Sequence, residues 1–348
     1  MTSRVYLDYN ATAPLRPEAR AAMLAALDIV GNPSSVHAEG RKARGVVEKA
    51  RAQVAPAPGA DGADIVFTSG ATAAAALALA GRGRAGAAGA QAAVRAWADD
   101  SLAVDRLGRV TVPEPARATV QLANSETGVV QELPQGLAVS DLTQGFGKLP
   151  VAFNWLGLEM GFISAHKIGG PKGIGALVMR RGTDLAAQIR GGGQEMGRRA
   201  GTENIPGIAG FGAAAEAAAK DLADGVWNSV VEIRNILEQA LDAEASKTIL
   251  VGKGAQRLPN TICLATAGWK GETQVMQMDL AGFAISAGSA CSSGKMRASA
   301  VLGAMGYDVQ QASGAIRVSL GPQTRTEDVL RFADAWLKEY RRFAARAA

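Results

Sequence analysis

Histidine and cysteine are scarce in this chain, with two of each among 348 residues. The two cysteines stand in dissimilar surroundings, which argues against a disulfide framework and for reduced thiols. Long apolar runs are also lacking. The longest candidates, residues 71–80 and 207–219, are alanine-rich and helical in pattern, so no membrane association is expected. Residues 2–9 lack the pattern of a secretion signal, and the expected location is cytoplasmic. Charge of one sign is in short supply too. The net formal charge is +5, and the doublets Arg180-Arg181, Arg198-Arg199 and Arg341-Arg342 form no basic stripe, so nucleic acid is not an expected partner.

What is present fits a globular enzyme: 48% hydrophobic and 20% charged residues, in a length that suits a large domain and a smaller one. Strand and helix patterns alternate, predicting an α/β fold with a mainly parallel sheet covered by helices, plus a smaller α+β C-terminal domain. Strands are predicted at 64–67, 118–122, 137–140, 175–179, around Cys263 and at 315–320. Helices are predicted at 17–27, after Thr72, at 205–221, at 226–244 and at the C-terminal end. Thr324 and Glu327 have capping-box spacing for that last helix, and Leu330, Ala333, Leu337 and Tyr340 give its apolar stripe. The domain boundary is placed near 223–225. Residues 14–223 make the large domain, and residues 1–13 with 224–348 the small one, the N-terminal arm packing on the C-terminal part.

Three local patterns carry chemistry. In Ser164-Ala165-His166-Lys167-Ile168-Gly169-Gly170-Pro171-Lys172-Gly173, a lysine follows a strand end beside a hydroxyl and a histidine. That setting suits a Schiff-base lysine shielded from bulk water, although a surface lysine in a turn reads equally well from this stretch alone. In Ile285-Ser286-Ala287-Gly288-Ser289-Ala290-Cys291-Ser292-Ser293-Gly294, the cysteine has little apolar material around it and reads as a reactive loop thiol. Cys263, between Ile262 and Leu264, reads as a strand core residue. The turn Thr68-Ser69-Gly70-Ala71-Thr72 enters a helix with its backbone N–H groups available to a phosphate, or is an ordinary capped turn. Taken with Lys167, it points to pyridoxal phosphate. That cofactor needs a carboxylate at its ring nitrogen, for which Asp141 is the candidate, with Gln144 as a hydrogen-bond donor to the ring.

Over almost its whole length the chain resembles the class V, fold-type I pyridoxal-phosphate enzymes, and among them the cysteine desulfurases of the nitrogen-fixation and iron–sulfur-cluster-assembly type. The resemblance lies in Tyr6-Leu7-Asp8-Tyr9-Asn10-Ala11-Thr12-Ala13-Pro14, in Gly31-Asn32-Pro33-Ser34-Ser35-Val36-His37 and in the lysine motif. It continues through Gly191-Gly192-Gly193-Gln194-Glu195, Arg198-Arg199-Ala200-Gly201-Thr202-Glu203-Asn204, the Cys291 loop and Ala315-Ile316-Arg317-Val318-Ser319-Leu320-Gly321. It implies that Lys167 holds the cofactor and later moves protons, while Asp141 and Gln144 meet the ring. Thr72, Ser164 and His166 would bind the phosphate, with Ala71 and Asn124 also among the cofactor contacts. Thr202 would come from the second subunit of a homodimer. Arg317 and Asn32 would clamp the substrate carboxylate. Cys291 would take sulfur from L-cysteine as a persulfide, releasing alanine, and hand it to an acceptor or scaffold protein.

The chain also departs from the pattern. Gln91 stands where a ring-stacking histidine is expected, and Gln cannot titrate near neutrality. Ser125 replaces an asparagine, and Ala73-Ala74-Ala75-Ala76 replaces a more polar run. The intervals from Thr72 to Gln91 and from Glu126 to Asp141 are each short by roughly two helical turns. A thinner covering layer is therefore expected there, with exposed apolar surface or a covering partner. Two readings follow: a working cysteine desulfurase, with a selenocysteine lyase as a variant, or a degenerate paralogue acting as a binding or regulatory subunit.

Overall fold

The computed structural model describes residues 4–288 and 298–346. Its strands are β1 Val5–Tyr6, β2 Asp64–Thr68, β3 Arg84–Ala87, β4 Ala98–Leu102, β5 Thr119–Gln121, β6 Val139–Asp141, β7 Met160–Ser164, β8 Gly175–Met179, β9 Thr248–Leu250, β10 Thr261–Thr266, β11 Phe283–Ala284, β12 Ser286–Ala287 and β13 Ala315–Ser319. Its helices are α1 Pro17–Leu27, α2 Ala38–Val54, α3 Ala71–Leu79, α4 Ala92–Arg95, α5 Ile205–Ala223, α6 Val226–Asp242, α7 Gly271–Leu280, α8 Ala300–Ala304, α9 Val309–Ser313 and α10 Thr326–Arg346.

The larger sheet has the order β2-β8-β7-β6-β5. Strands β5, β6 and β7 pair in parallel, whereas β8 runs antiparallel to both β2 and β7. Four strands thus share one direction and β8 alone is reversed, as a mainly parallel sheet requires. Alternation along each strand sends neighbours to opposite faces. Val66, Phe162 and Leu177 meet Ala74, Ala75 and Ala78 of α3 on one face, while Phe67, Ile163 and Val178 join Val47 of α2 and Phe211 of α5 on the other. The alanine run is therefore a packing surface: small side chains let α3 lie close against the sheet. Burial on both faces explains why these strands read as continuous apolar runs.

A second core holds residues from Trp227 to Tyr340 together with Val5 and Leu7 of the N-terminal arm. Its sheet, β12-β13-β10-β9, is antiparallel throughout, with α6, α7 and α10 packed on it. The arm joins by pairing β1 in parallel with β11 and by a bridge from Asp8 to Ser319. Cys263 is fully buried in β10, as expected.

Three expectations are corrected. The start of α10 does not use Thr324 and Glu327 as a capping box. The Thr324 hydroxyl accepts from the Gly321 N–H, and the Asp328 carboxylate caps the Arg325 N–H at 3.0 Å. The helix starts one residue later than that spacing implies, at Thr326, so Asp328 and not Glu327 stands three residues after the cap position Arg325. Leu330 is 42% exposed, and the buried stripe runs through Val329, Phe332, Ala333, Trp336, Leu337 and Tyr340. The shortened intervals, moreover, do not leave the sheet bare. Strands β5 and β6 are buried along their whole length. Val104, Val110 and Val112, from a short turn-back held by a Val104–Val110 bridge, pack on the same core. Arg106 of that turn lies over the Tyr307 ring and Val104 also packs on a small cluster with Cys263, Leu302 and Met305, so the chain covers its own gap.

At Gly321 an added Cβ would overlap the buried ring of Tyr9. Gly321→Ala is therefore expected to loosen the arm and lower stability by about 1–3 kcal/mol. Urea unfolding midpoints of the two proteins test this; an unchanged midpoint would mean that the ring yields freely.

Candidate functional site

Because β2, β5, β6 and β7 run the same way, their C-terminal ends open on one edge of the sheet, the usual ligand edge of open α/β sheets. The turns that leave them, the arm residues Asn10 to Thr12, and Ser286 and Arg317 of the smaller sheet enclose a cavity of about 630 Å³.

Lys167 reaches this cavity from a single helical turn, Ala165–Lys167, directly after β7. Its Nζ donates to the carbonyls of Asn10 at 2.6 Å and Ala11 at 2.8 Å. Asp141, the last residue of β6, lines the same cavity and its Oδ1 accepts from the Thr143 N–H at 2.9 Å. Burial pushes its carboxyl above the usual range, while the Thr143 hydrogen bonds and the Lys167 charge pull the other way. Gln144 donates from Nε2 to the Asn10 carbonyl and accepts at Oε1 from Lys148 Nζ, both at 3.0 Å. Lys148 is buried, and burial, followed by the facing charges of Lys167 and Arg317, holds its amine well below its ordinary value.

An anion cup lies at another part of the wall. Gly70 has φ of +151°, a conformation that side chains rarely adopt, and it turns the chain sharply from β2 into α3. Ala71 and Thr72 follow at the N-terminus of α3, where unpaired N–H groups and the helix dipole favour negative charge. Ser164, His166 and Lys172 line the same cavity. Burial, then the charges of Lys167 and Lys172, lower His166 to about 4, so its ring is neutral near pH 7. Its Nδ1 lies 3.2 Å from the Thr12 hydroxyl.

Arg317 projects from β13. Its Nη2 pairs with Asp8 at 2.8 Å and its Nη1 donates to the Ser125 carbonyl at 3.0 Å. Its buried Nε has no hydrogen-bond partner among the described residues. Ser286 donates to the Asp8 carboxylate from below. Beside this group, Glu126 is buried and its carboxyl is raised by burial to about 7, against the pull of a Ser299 hydrogen bond and Arg317. It lies so close to Gly288 that a Cβ there would collide with it.

The structure thus brings Ala71, Thr72, Asp141, Gln144, Ser164, His166, Lys167 and Arg317 to one cavity, and it leaves three expected contacts outside. Asn32 is exposed, its side chain accepting from the Ser34 N–H in a local turn, so Arg317 gains no help from it within the chain. Asn124 points away because the wall alternates: Gln121, Ala123 and Ser125 face the cavity. Both ends of the Asn124 amide are in use, accepting from the N–H groups of Glu126 and Thr127 and donating to the Gly89 carbonyl. Thr202 is exposed and outside its own chain's cavity. Cys291 falls in residues 289–297, outside the described residues. Gln91 does line the cavity, and its Oε1 also caps α4 at the Ala93 N–H. Sequence reasoning missed Asp8, Asn10 and Lys148, which act at long range. Lys148 carried one legible sign, its four-residue spacing from Gln144.

Comparison with known proteins agrees with this arrangement. The model of the aminotransferase class-V family matches residues 5–99 and 94–332. A cysteine desulfurase of Cereibacter sphaeroides is 38% identical over 369 residues, covering 95% of this chain and 94% of the relative. Among solved structures, a NifS-like protein from Rickettsia africae superposes with a TM-score of 0.85 at 28% identity, covering 97% of this chain and 99% of that one. A structure described as SspA in complex with cysteine gives a TM-score of 0.75 at 26% identity, over 92% of this chain and all of that one. With its cavity, lysine and sheet order in place, the chain belongs to the aminotransferase class-V family.

Proposed function

We propose that this protein is a pyridoxal-phosphate-dependent cysteine desulfurase, which converts L-cysteine to L-alanine and carries the sulfur as a persulfide on Cys291. The observation that carries the reading is the meeting of Lys167, Asp141, the α3 N-terminus and Arg317 around one cavity. The relative named a cysteine desulfurase and the neighbour described in complex with cysteine support the substrate.

The residues fit the cofactor. A lysine amine faces the cavity, a buried carboxyl lines it, and a helix N-terminus with Thr72, Ser164 and neutral His166 offers donors to a phosphate. Pyridoxal phosphate, when bound, supplies an electron sink for bonds to the α-carbon of the amino acid. Lys167 Nζ would hold it and afterwards carry protons, leaving the Asn10 carbonyl to do so. Asp141 would pair with the ring nitrogen: a cationic partner favours the charged carboxylate that burial alone disfavours. Arg317 would receive the substrate carboxylate, with its unpartnered Nε as an available donor and Asp8 holding the guanidinium in place. Cys291 Sγ would form an S–S bond to the substrate sulfur as the Cβ–S bond breaks, its electron pair staying with carbon. A proton delivered to that carbon completes alanine.

In a homodimer, the partner subunit's Thr202 would reach the phosphate, in keeping with its exposure away from its own chain's cavity. The division we propose, a cofactor-binding domain at 14–223 and a small domain at 1–13 and 224–348, is supported by the separation of the two cores. The sulfur would pass to an acceptor or scaffold protein of iron–sulfur cluster assembly or thiolation, in the cytoplasm; among the described residues no helix is long and apolar enough to cross a membrane.

The decisive test is the visible spectrum before and after L-cysteine, with alanine assayed alongside. The parent is expected to show a cofactor band that shifts with cysteine and to release alanine. Lys167→Ala should abolish the band entirely, and Cys291→Ala should keep it but form no persulfide. Sulfide release at the parent rate from Cys291→Ala would disprove the nucleophile.

The neutral imidazole also fixes a pH dependence. Since His166 is lowered to about 4 from 6.5, the unfolded chain binds a proton there before the folded chain does as pH falls. Stability from this residue is present above pH 6.5 and is lost on descending toward 4. In cofactor-free protein, His166→Gln should lose less stability than the parent between pH 6.5 and about 4.5, read as urea midpoints. Equal losses would mean that the imidazole titrates as in water.

A further inference from the structure

Lys148 is a lysine where an apolar residue would be expected. It is 3% exposed, and the ionic groups that act on it most, Lys167 and Arg317, are both cations. A buried amine is costly unless its N–H groups find acceptors. Here they find two side-chain amides: Asn10 Oδ1 and Gln144 Oε1, each at 3.0 Å. A neutral amine has two N–H groups, so both are used.

We propose that Lys148 is a positioning residue: it fixes the amide of Gln144, and the Asn10 side chain with it, so that Gln144 presents an N–H to the ring oxygen of the bound cofactor. An amide can bind either way round unless its neighbours forbid one orientation. On one side Gln144 meets Lys148, which donates. On the other it meets the Asn10 carbonyl, which can only accept, from Nε2 at 3.0 Å. The Asn10 carbonyl forbids an amide oxygen on its side, and Lys148, whose two N–H groups meet two amide oxygens, favours the same orientation, oxygen toward itself and nitrogen toward the cavity that Gln144 lines. Nε2 has a second N–H beyond the one given to Asn10, and that one serves the ring. Asn10 is held from the same amine, and its carbonyl is the group that accepts from Lys167 at 2.6 Å. One buried amine therefore orients the ring donor and the carbonyl nearest the reactive nitrogen. Packing alone would not select these two contacts.

The inference rests on the reading of this cavity as a pyridoxal phosphate site, and its test reads the chromophore rather than turnover. A donor on the ring oxygen makes that oxygen a poorer partner for the proton on the neighbouring Lys167 nitrogen. Losing the donor raises the midpoint of the pH titration of the visible band. In purified holoprotein, Lys148→Met should melt within a few degrees of the parent and take up the cofactor, yet titrate about one pH unit higher, the scale of one hydrogen bond. Gln144→Leu should shift the midpoint the same way, and the double variant should go no further than Gln144→Leu alone. A folded, coloured Lys148→Met protein with the parent midpoint would overturn the proposal, as would full additivity in the double variant. If Lys148→Met does not fold, Lys148→Arg decides. It keeps the donors, the adjoining cavity of about 270 Å³ gives it room, and its midpoint should not rise above the parent's, since its added positive charge can only lower it. A midpoint displaced as far as in Gln144→Leu would sink the idea. A parent protein that binds no cofactor at all would instead refute the underlying site.

Discussion

One buried asparagine holds the two halves of this protein to its cavity. The Asn10 backbone N–H donates to the Ser319 hydroxyl, and its side chain donates to Thr261 and to the Ser125 carbonyl. Its Oδ1 accepts from Asn260 as well as from Lys148. The contacts tie the arm to both sheets and the loops between them, and together they satisfy nearly all the polar capacity of one residue in a setting where an unmet group is costly. The arm, the floor of the larger sheet and the edge of the smaller one are thereby set in register. The reactive lysine borrows that register, because the carbonyl it touches belongs to the same residue.

Burial then sorts the ionisable groups around the cavity into distinct roles. Asp141 and Glu126 are pushed toward the neutral acid, and Lys148 and His166 toward the neutral base, whereas Arg317 and Asp8 face each other as an ion pair. Glu126 and His166 have opposite effects on stability. The raised carboxyl of Glu126 stabilises below pH 4.5, and that contribution is lost as pH rises through about 7. The depressed imidazole does the reverse over an overlapping range, so the two slopes offset each other in mildly acidic solution.

Much of this was legible in the residues and some was not, for physical reasons. The helix 17–27, the strand 175–179, the buried strand around Cys263 and the placement of Lys167 just past a strand followed from local pattern, because periodicity and turn chemistry are local. Asp141, Gln144 and Arg317 were found through the demands of the cofactor and the family's motifs. Asn32 and Asn124 were assigned by motif alone; the Asn32 side-chain oxygen caps its own loop, and the Asn124 amide is taken up by its own loop and the Gly89 carbonyl. Leu330 was misplaced because a stripe drawn at three and four residues fixes the face only to within one position. Asn10 and Lys148 stayed hidden because Asn10 has partners up to 309 residues away and meets Lys148 across 138, and only the spacing of Lys148 from Gln144 hints at the network. The short interval after Glu126 announced a gap but not its cover, which comes from Val104, Val110 and Val112.

The docking of the arm has a consequence for the order in which the protein is made. Val5 and Tyr6 pair with Phe283 and Ala284, and Asp8 bridges to Ser319, so this strand leaves the ribosome long before its partners do. Domains fold as units during synthesis, and contacts of such long sequence separation form late. The larger sheet, complete by Met179, has its lysine and its anion cup ready well before the arm can settle. Asn10 reaches its place only when Thr261 and Ser319 arrive. The cavity is closed by the arrival of the smaller sheet, not by the folding of its own, and a cofactor entering earlier meets a pocket with one wall missing.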